Sequence, residues 1–187
     1  MKIPFKSGTL IYPLPAVMVT CGDCEENYNI ITIGWTGTIC SDPPMCYISV
    51  RKERHSHELI MKNKEFVINL TTEDLAAATD WCGVRSGRDY NKFHEMGITP
   101  VKGIKVAAPY LEEAPMSIEC HVRDIMRLGS HDMFIAEVMN VIADEAFLDP
   151  DTGRFDMEKA GLITYCHGHY YTMGKPIGHF GWTVKKK

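Results

Sequence analysis

No stretch of this 187-residue chain approaches the roughly 18 consecutive apolar residues that a membrane-spanning helix needs, and its start, Met1-Lys2-Ile3-Pro4-Phe5, lacks the apolar core of an export signal. A cytoplasmic protein with no membrane contact is expected. Positive charge is not in excess: 20 Lys and Arg stand against 24 Asp and Glu, the formal net charge is −4, and the one basic run is Lys185 to Lys187. Nucleic-acid binders concentrate basic charge on one surface, so that class is set aside and the run reads as a solvated tail. The fingerprint Gly-x-Gly-x-x-Gly is missing, which removes a Rossmann dinucleotide site. Seven cysteines, an odd number without an export signal, read as free thiols in a reducing compartment rather than a disulfide framework. Internal repeats and low-complexity segments are absent as well. What is left, at 45% hydrophobic and 24% charged, is an ordinary globular composition, long enough to bury one core in a single domain over 1–187.

Local patterns predict mostly strand. Val17 to Cys21 and Asn29 to Ile39 are rich in β-branched residues, with breaks at Cys21-Gly22-Asp23-Cys24 and Asp42-Pro43-Pro44, and Met45 to Val50 follows as a further strand. Ser56 to Lys64 reads as helix and Glu65 to Leu70 as strand. Thr71-Thr72-Glu73-Asp74 has the composition of a helix cap with acids in the first turn, predicting a helix that runs to Cys82 and stops at Gly83. Ser86-Gly87-Arg88-Asp89 repeats that pattern ahead of a short helix through Phe93 that ends near Gly97. From Met116 the period is two, and after Gly129-Ser130 the run Met133 to Ala143 is apolar on both faces, as expected of a strand buried on both. Leu162 to Cys166 adds one more strand. About seven mostly consecutive strands and three short helices favour an antiparallel barrel over a βαβ sheet.

The chemistry-bearing residues gather between Asn27 and Ser56. In the loop that begins at Trp35, Thr36, Gly37, Thr38 and Ser41 place small donors and closely approachable backbone at a strand end. Arg51, Arg54, His55 and Ser56 fall where a helix begins, and a helix N-terminus with cationic side chains favours an anion. That order suits a phosphate-bearing ring cofactor. A flavin mononucleotide needs two such unlike surroundings: Arg, Lys and hydroxyls for its phosphate, and an apolar slot with a few donors for its ring.

The pattern I-T-I-G-W-T-G-T-I-C-S-D-P-P, then R-K-E-R-H-S-H-E-L-I, N-L-T, C-G-x-x-S-G-R-D-Y-N-K-F, G-S-H-D-M-F-I-A-E-V and a closing Y-Y-x-M-G-K-P-I-G-x-F-G, resembles the flavin reductase-like family, most closely its flavoredoxin-type members. The resemblance runs from about Tyr12 to Gly181. It implies a mostly-β fold with short helices, an FMN-binding split β-barrel of antiparallel Greek-key topology, with FMN held non-covalently and a homodimer that places each flavin near the subunit interface. By position it implies that Trp35, Thr36, Gly37 and Thr38 line the ring and ribityl chain, that Arg51 and Ser56 with His55 hold the phosphate, and that Asn69, Ser86 and Lys92 close around the flavin. His131 matches the family histidine on the open side of the ring, where it would orient a hydride donor or relay a proton. Trp35 and Thr36 stand where many free-flavin reductases carry small residues and Phe, which implies a tightly kept FMN.

The function implied is an FMN-dependent oxidoreductase. It would take electrons from NADH or NADPH bound transiently against the flavin, or from another small-molecule or protein donor, and pass them to an acceptor. An electron carrier without nicotinamide activity is the alternative, and a haem or metal module the weaker rival. Cys21 and Cys24 have redox-motif spacing but fall in a hairpin turn, Cys166-His167-Gly168-His169 supplies no second zinc knuckle, and the cysteines are too scattered for an iron–sulfur cluster. No metal site is expected.

Overall fold

A computed structural model describes residues 1–184; the Lys185 to Lys187 run lies outside the described residues. In chain order the strands and helices are β1 Leu14–Pro15, β2 Val17–Cys21, β3 Asn29–Ile33, β4 Thr36–Ser41, β5 Pro44–Arg51, α1 His55–Asn63, β6 Glu65–Leu70, α2 Ala76–Val84, α3 Lys92–Met96, β7 Pro100–Val101, β8 Tyr110–Leu111, β9 Met116–Leu128, β10 His131–Ala143, β11 Ile163–Cys166 and β12 His169–Thr172. Seven of the strands make one antiparallel sheet in the order β3-β2-β6-β9-β10-β5-β4, while β1-β11-β12 and β7-β8 form two small satellites.

The large sheet curls until its ends face a common interior. Val17, Val19, Ile31 and Ile33 from one end pack in one cluster with Cys46, Ile48, Phe134 and Ala136 from the other, and α1 adds Leu59 and Ile60. Burying such side chains stabilises by roughly 1.5–3 kcal/mol each for the larger aliphatics, which is why these β-branched runs set the barrel. His57 Nε2 lies 2.9 Å from Asp132 Oδ2, tying the first turn of α1 to β10. A second cluster outside the barrel, around Met18, Ile30, Leu75, Cys82, Phe93 and Leu111, seats α2 and α3 against β2 and β3.

Four local expectations are corrected. The run Asn29 to Ile39 is two strands broken at Gly34-Trp35, so the chain turns a corner where a straight strand was expected. Thr71 and Thr72 do not cap α2: Thr71 Oγ1 donates to the Ala16 carbonyl, Thr72 bridges Leu162, and the helix begins only at Ala76. Ser86 opens a turn rather than a helix, its carbonyl accepting from Asp89 N, and α3 is capped by Asn91, whose Oδ1 accepts from His94 N at 3.2 Å; it ends at Gly97 with φ of 61°, the left-handed conformation glycine adopts freely. Finally, β10 is buried on one face only. Asp132, Phe134 and Ala136 point into the barrel, while Met133 and Ile135 are half-buried on the outer face.

Candidate functional site

Where β5 gives way to α1, the chain builds a cleft of about 140 Å³ lined by Arg54, His55, Ser56, Arg85, Ser86 and Lys92. The first turn of a helix leaves its amides without intrahelical partners and carries the positive end of the macrodipole. Ser56 is held in that turn by Asn29, whose Nδ2 donates to Ser56 Oγ at 2.8 Å. His55 Nδ1 is buried and has no hydrogen-bond partner. Leaving such an atom unpaired costs about 1–3 kcal/mol, a loss that a ligand oxygen in the cleft would remove. Burial, reinforced by the charge of Arg88, holds the His55 pKa below its usual value. Lys92 enters from the opposite side on α3, its Nζ donating to the carbonyls of Ile30 and Cys82, both at 2.8 Å. Burial pulls its pKa down to about 8, with Cys82 opposing and Arg54 adding to the shift. Three cationic side chains, two hydroxyls and an unpaired imidazole nitrogen are the donor set of a phosphate site.

A second cavity of about 350 Å³ adjoins the cleft and shares Arg54 with it. Its walls include Thr32, Gly34 and Trp35 from the β3–β4 corner, Asp80 and Gly83 from α2, and Tyr165 and Tyr170 from the small sheet. That volume falls within the roughly 300–1,000 Å³ of small-molecule sites. Tyr170 Oη donates to Asp80 Oδ1 at 3.2 Å, and burial with the Asp80 charge pushes the phenol up to about 12. Trp35 stacks on His131, with ring centroids 6.0 Å apart and planes 24° from parallel. His131 lies in register with Arg51 on β5, and its Nδ1 is 2.8 Å from Ser130 Oγ. Its pKa is lowered, first by burial and then by the Arg51 charge.

Of the residues expected at the site, His55, Ser56, Ser86 and Lys92 meet in the cleft and Trp35 lines the groove. Thr36, Gly37 and Thr38 run away from both along β4: Thr36 Oγ1 donates to the Tyr47 carbonyl at 2.6 Å, and a Cβ on Gly37 would come within 3.1 Å of the Tyr47 ring. Arg51 does not line the cleft. It stands beside His131 and reaches Glu53 at 3.5 Å, half exposed, while Arg54 and Arg85 are the arginines that line the cleft. Asn69, on β6, stands apart from both cavities: it is fully buried, its Nδ2 donating to the Met18 carbonyl at 3.0 Å and its Oδ1 accepting from Leu111 N at 3.0 Å and Ser117 Oγ at 2.7 Å.

Arg85 and Asn29 were not singled out from sequence, although Arg85 directly precedes the Ser86-Gly87 turn. All seven cysteines are free, and burial pushes the Cys21 thiol up to about 12, leaving it a poor nucleophile. Among the described residues no three His, Cys, Asp or Glu are grouped as metal ligands, and no helix is long and apolar enough to cross a membrane.

The geometry has counterparts among known proteins. In structure the chain is similar to the flavoredoxin of Desulfovibrio vulgaris (Miyazaki F), 32% identical over 99% of this chain and 100% of that one, with a TM-score of 0.92. It is also similar to an FMN-binding protein from Thermus thermophilus, 26% identical over 96% and 99% of the two chains, with a TM-score of 0.81. In sequence it is 24% identical to an NADH:riboflavin 5'-phosphate oxidoreductase of Streptomyces pristinaespiralis, over 68% of this chain and 69% of that one. The split-barrel fold is thus shared, and because the profile of the flavin reductase like domain matches residues 9–174, nearly the whole chain, the protein belongs to that family.

Proposed function

We propose that this protein is a flavin-dependent oxidoreductase that holds FMN non-covalently, takes electrons from NADH, NADPH or another small-molecule or protein donor, and passes them to an acceptor. The observation that carries this is the unpaired, buried Nδ1 of His55 beside the Ser56 hydroxyl at the start of α1, facing a cleft with Arg54, Arg85 and Lys92. These groups would hold a dianionic phosphate, and the adjoining groove at Trp35 would hold the ring. A bound flavin supplies the hydride and one-electron chemistry itself, and the protein sets position, access and electrostatics. Arg54, at the junction of cleft and groove, orients phosphate and ring relative to one another. His131, whose pKa burial and the Arg51 charge lower, would hold or release a proton at Nε2 while Nδ1 stays with Ser130. The names of the Desulfovibrio flavoredoxin and the Streptomyces oxidoreductase support this choice of chemistry.

The protein is further proposed to act as a homodimer through the outer face of β9 and β10, where Met126 and Leu128 stand exposed opposite Met133 and His131. Exposed apolar patches of this kind mark association surfaces.

The test is the visible spectrum of purified, dialysed protein followed by anaerobic addition of NADH and then NADPH. A retained yellow colour that bleaches with either nucleotide is expected. Yellow without bleaching replaces the nicotinamide-linked enzyme with an electron carrier fed by another protein. A colourless protein that takes up no added FMN overturns the proposal.

A further inference from the structure

Arg51 to His57 and Gly129 to Asp132 meet inside the barrel at a residue that neither the cleft nor the groove accounts for. Asp132 points inward from β10 in line with Phe134 and Ala136 and is 4% exposed. A carboxylate in such a place is costly unless its oxygens are paired, and an apolar side chain of similar size would suit the interior at least as well. The charge therefore needs a reason, and its partners supply one. His57 Nε2 donates to Asp132 Oδ2 at 2.9 Å, and the Lys52 ammonium stands 3.5 Å from Oδ1, a buried atom that makes no hydrogen bond of its own.

Lys52 and His57 are the residues on either side of Glu53-Arg54-His55-Ser56, and all four of these line the phosphate cleft. One carboxylate thus grips both ends of the segment that forms the cleft wall. Inside the segment, Arg54 N donates to the Arg51 carbonyl at 3.1 Å and His57 N to the Arg54 carbonyl at 3.0 Å, so the turn is closed on itself and its placement depends on outside ties. Asn29 holds Ser56 to β3, and Arg88 Nη1 donates to the Glu53 carbonyl at 3.0 Å. Asp132 is the tie to β10, and the His57 ring meets Phe134 edge-on beneath it, with centroids 5.4 Å apart. Side chains alternate along a strand, so the stretch of β10 that sends Asp132 inward sends its neighbour His131 outward, onto Trp35 beside the groove. A displacement of the cleft wall reaches that histidine through a single peptide unit.

We propose that Asp132 is a positioning residue, which clamps residues 53–56 in their phosphate-binding shape and fixes His131 relative to them. This rests on the proposed placement of the flavin phosphate in the cleft. Asp132 itself touches neither phosphate nor ring. It acts through Lys52 and His57 on one side and through His131 on the other.

The experiment is titration of flavin-free parent and variants with FMN and riboflavin, read by flavin fluorescence, with stopped-flow reduction of the FMN-saturated proteins alongside. Asp132→Ala should weaken FMN binding by about tenfold, the lower end for loss of a charge-assisted contact, and leave riboflavin affinity unchanged. Reduction of its bound FMN should slow severalfold as His131 loses its anchor. His57→Ala should weaken FMN binding in the same way, His57→Gln, which keeps a donor, should recover most of that loss, and the double variant should lose no more than Asp132→Ala alone, because both changes break one clamp. Where Asp132→Ala does not fold, Asp132→Asn, which keeps the shape without the charge, carries the same comparison. A parental FMN-to-riboflavin ratio in the folded Asp132 variant, additive losses in the double variant, or a parental reduction rate overturns the proposal and leaves the cleft standing. A parent that binds FMN no better than riboflavin removes the cleft itself, and the clamp with it.

Discussion

Trp35 and His131 form a stacked pair, 6.0 Å between centroids, at the corner where β3 turns into β4 and the hairpin of β9 and β10 reaches its tip. Neither ring is fully buried, and His131 is positioned from both sides by Ser130 and Arg51. If His131 relays a proton during electron transfer, His131→Ala should slow reduction of bound flavin by about 10²-fold, the lower end for a lost acid–base group, and leave flavin affinity unchanged. Stopped-flow reduction alongside equilibrium titration separates the two quantities. Equal losses in both, or none, would assign His131 to packing against Trp35.

The cleft makes a sharper prediction about which arginine matters. Arg54→Ala and Arg85→Ala should each weaken FMN binding by about 10- to 100-fold, since a hydrogen bond to a charged group contributes roughly 1.5–3 kcal/mol. Riboflavin, which has no phosphate, should bind these variants as it binds the parent. Arg51→Ala should spare FMN affinity and act instead on the reduction rate through His131. A large FMN loss in Arg51→Ala alone would show that the phosphate lies elsewhere.

That contrast shows where sequence stops being informative. The barrel was legible because apolar, β-branched runs bounded by turn residues are local signals, as in β2, β5 and β6, and in β9 a period of two marks the inward face as well. The cleft was half legible, since a Ser at a helix start beside basic residues is a local arrangement too. Choosing Arg51 over Arg54 required knowing where β5 ends, because Arg51 still belongs to the strand and pairs with His131, whereas Arg54 begins the helix. Asn69 misled for a different reason. A polar residue in a strand faces either a ligand or a buried network, and here the long-range partners Met18, Leu111 and Ser117, distant in sequence, decide for the network.

Asn69→Ala should accordingly lower stability, by about 2–4 kcal/mol, because it orphans several buried partners at once. Chemical denaturation should show the loss as a lower midpoint with unchanged slope. The folded fraction should bind FMN as before, and a specific loss of FMN affinity without loss of stability would return Asn69 to the site.

The proposed dimer can be tested on the outer face of the barrel. Met126 and Leu128 are 46% and 44% exposed and stand opposite Met133 and His131 in the β9–β10 register, so one apolar strip borders the Trp35–His131 pair. Replacing both with Lys leaves the barrel interior untouched. Sedimentation equilibrium should then change from dimer to monomer, and flavin should be released more readily. A parent protein that sediments as a monomer would remove the dimer.

Lys92 links binding to pH. In the free protein burial sets its pKa at about 8, below the ordinary lysine value. A dianionic phosphate in the cleft stabilises the charged amine, so the pKa in the complex lies higher than in the free protein. Binding above pH 8 must then include uptake of a proton, whereas below pH 8 the amine is already charged. FMN affinity should be flat with respect to this group below pH 8 and fall by up to about tenfold per unit above it, until the raised pKa of the complex is reached. Riboflavin affinity should show no such decline. Lys92→Met, which fills the same buried channel without a charge, should bind FMN weakly and abolish the alkaline fall, and a decline that persists in this variant would mean that another group carries the linkage.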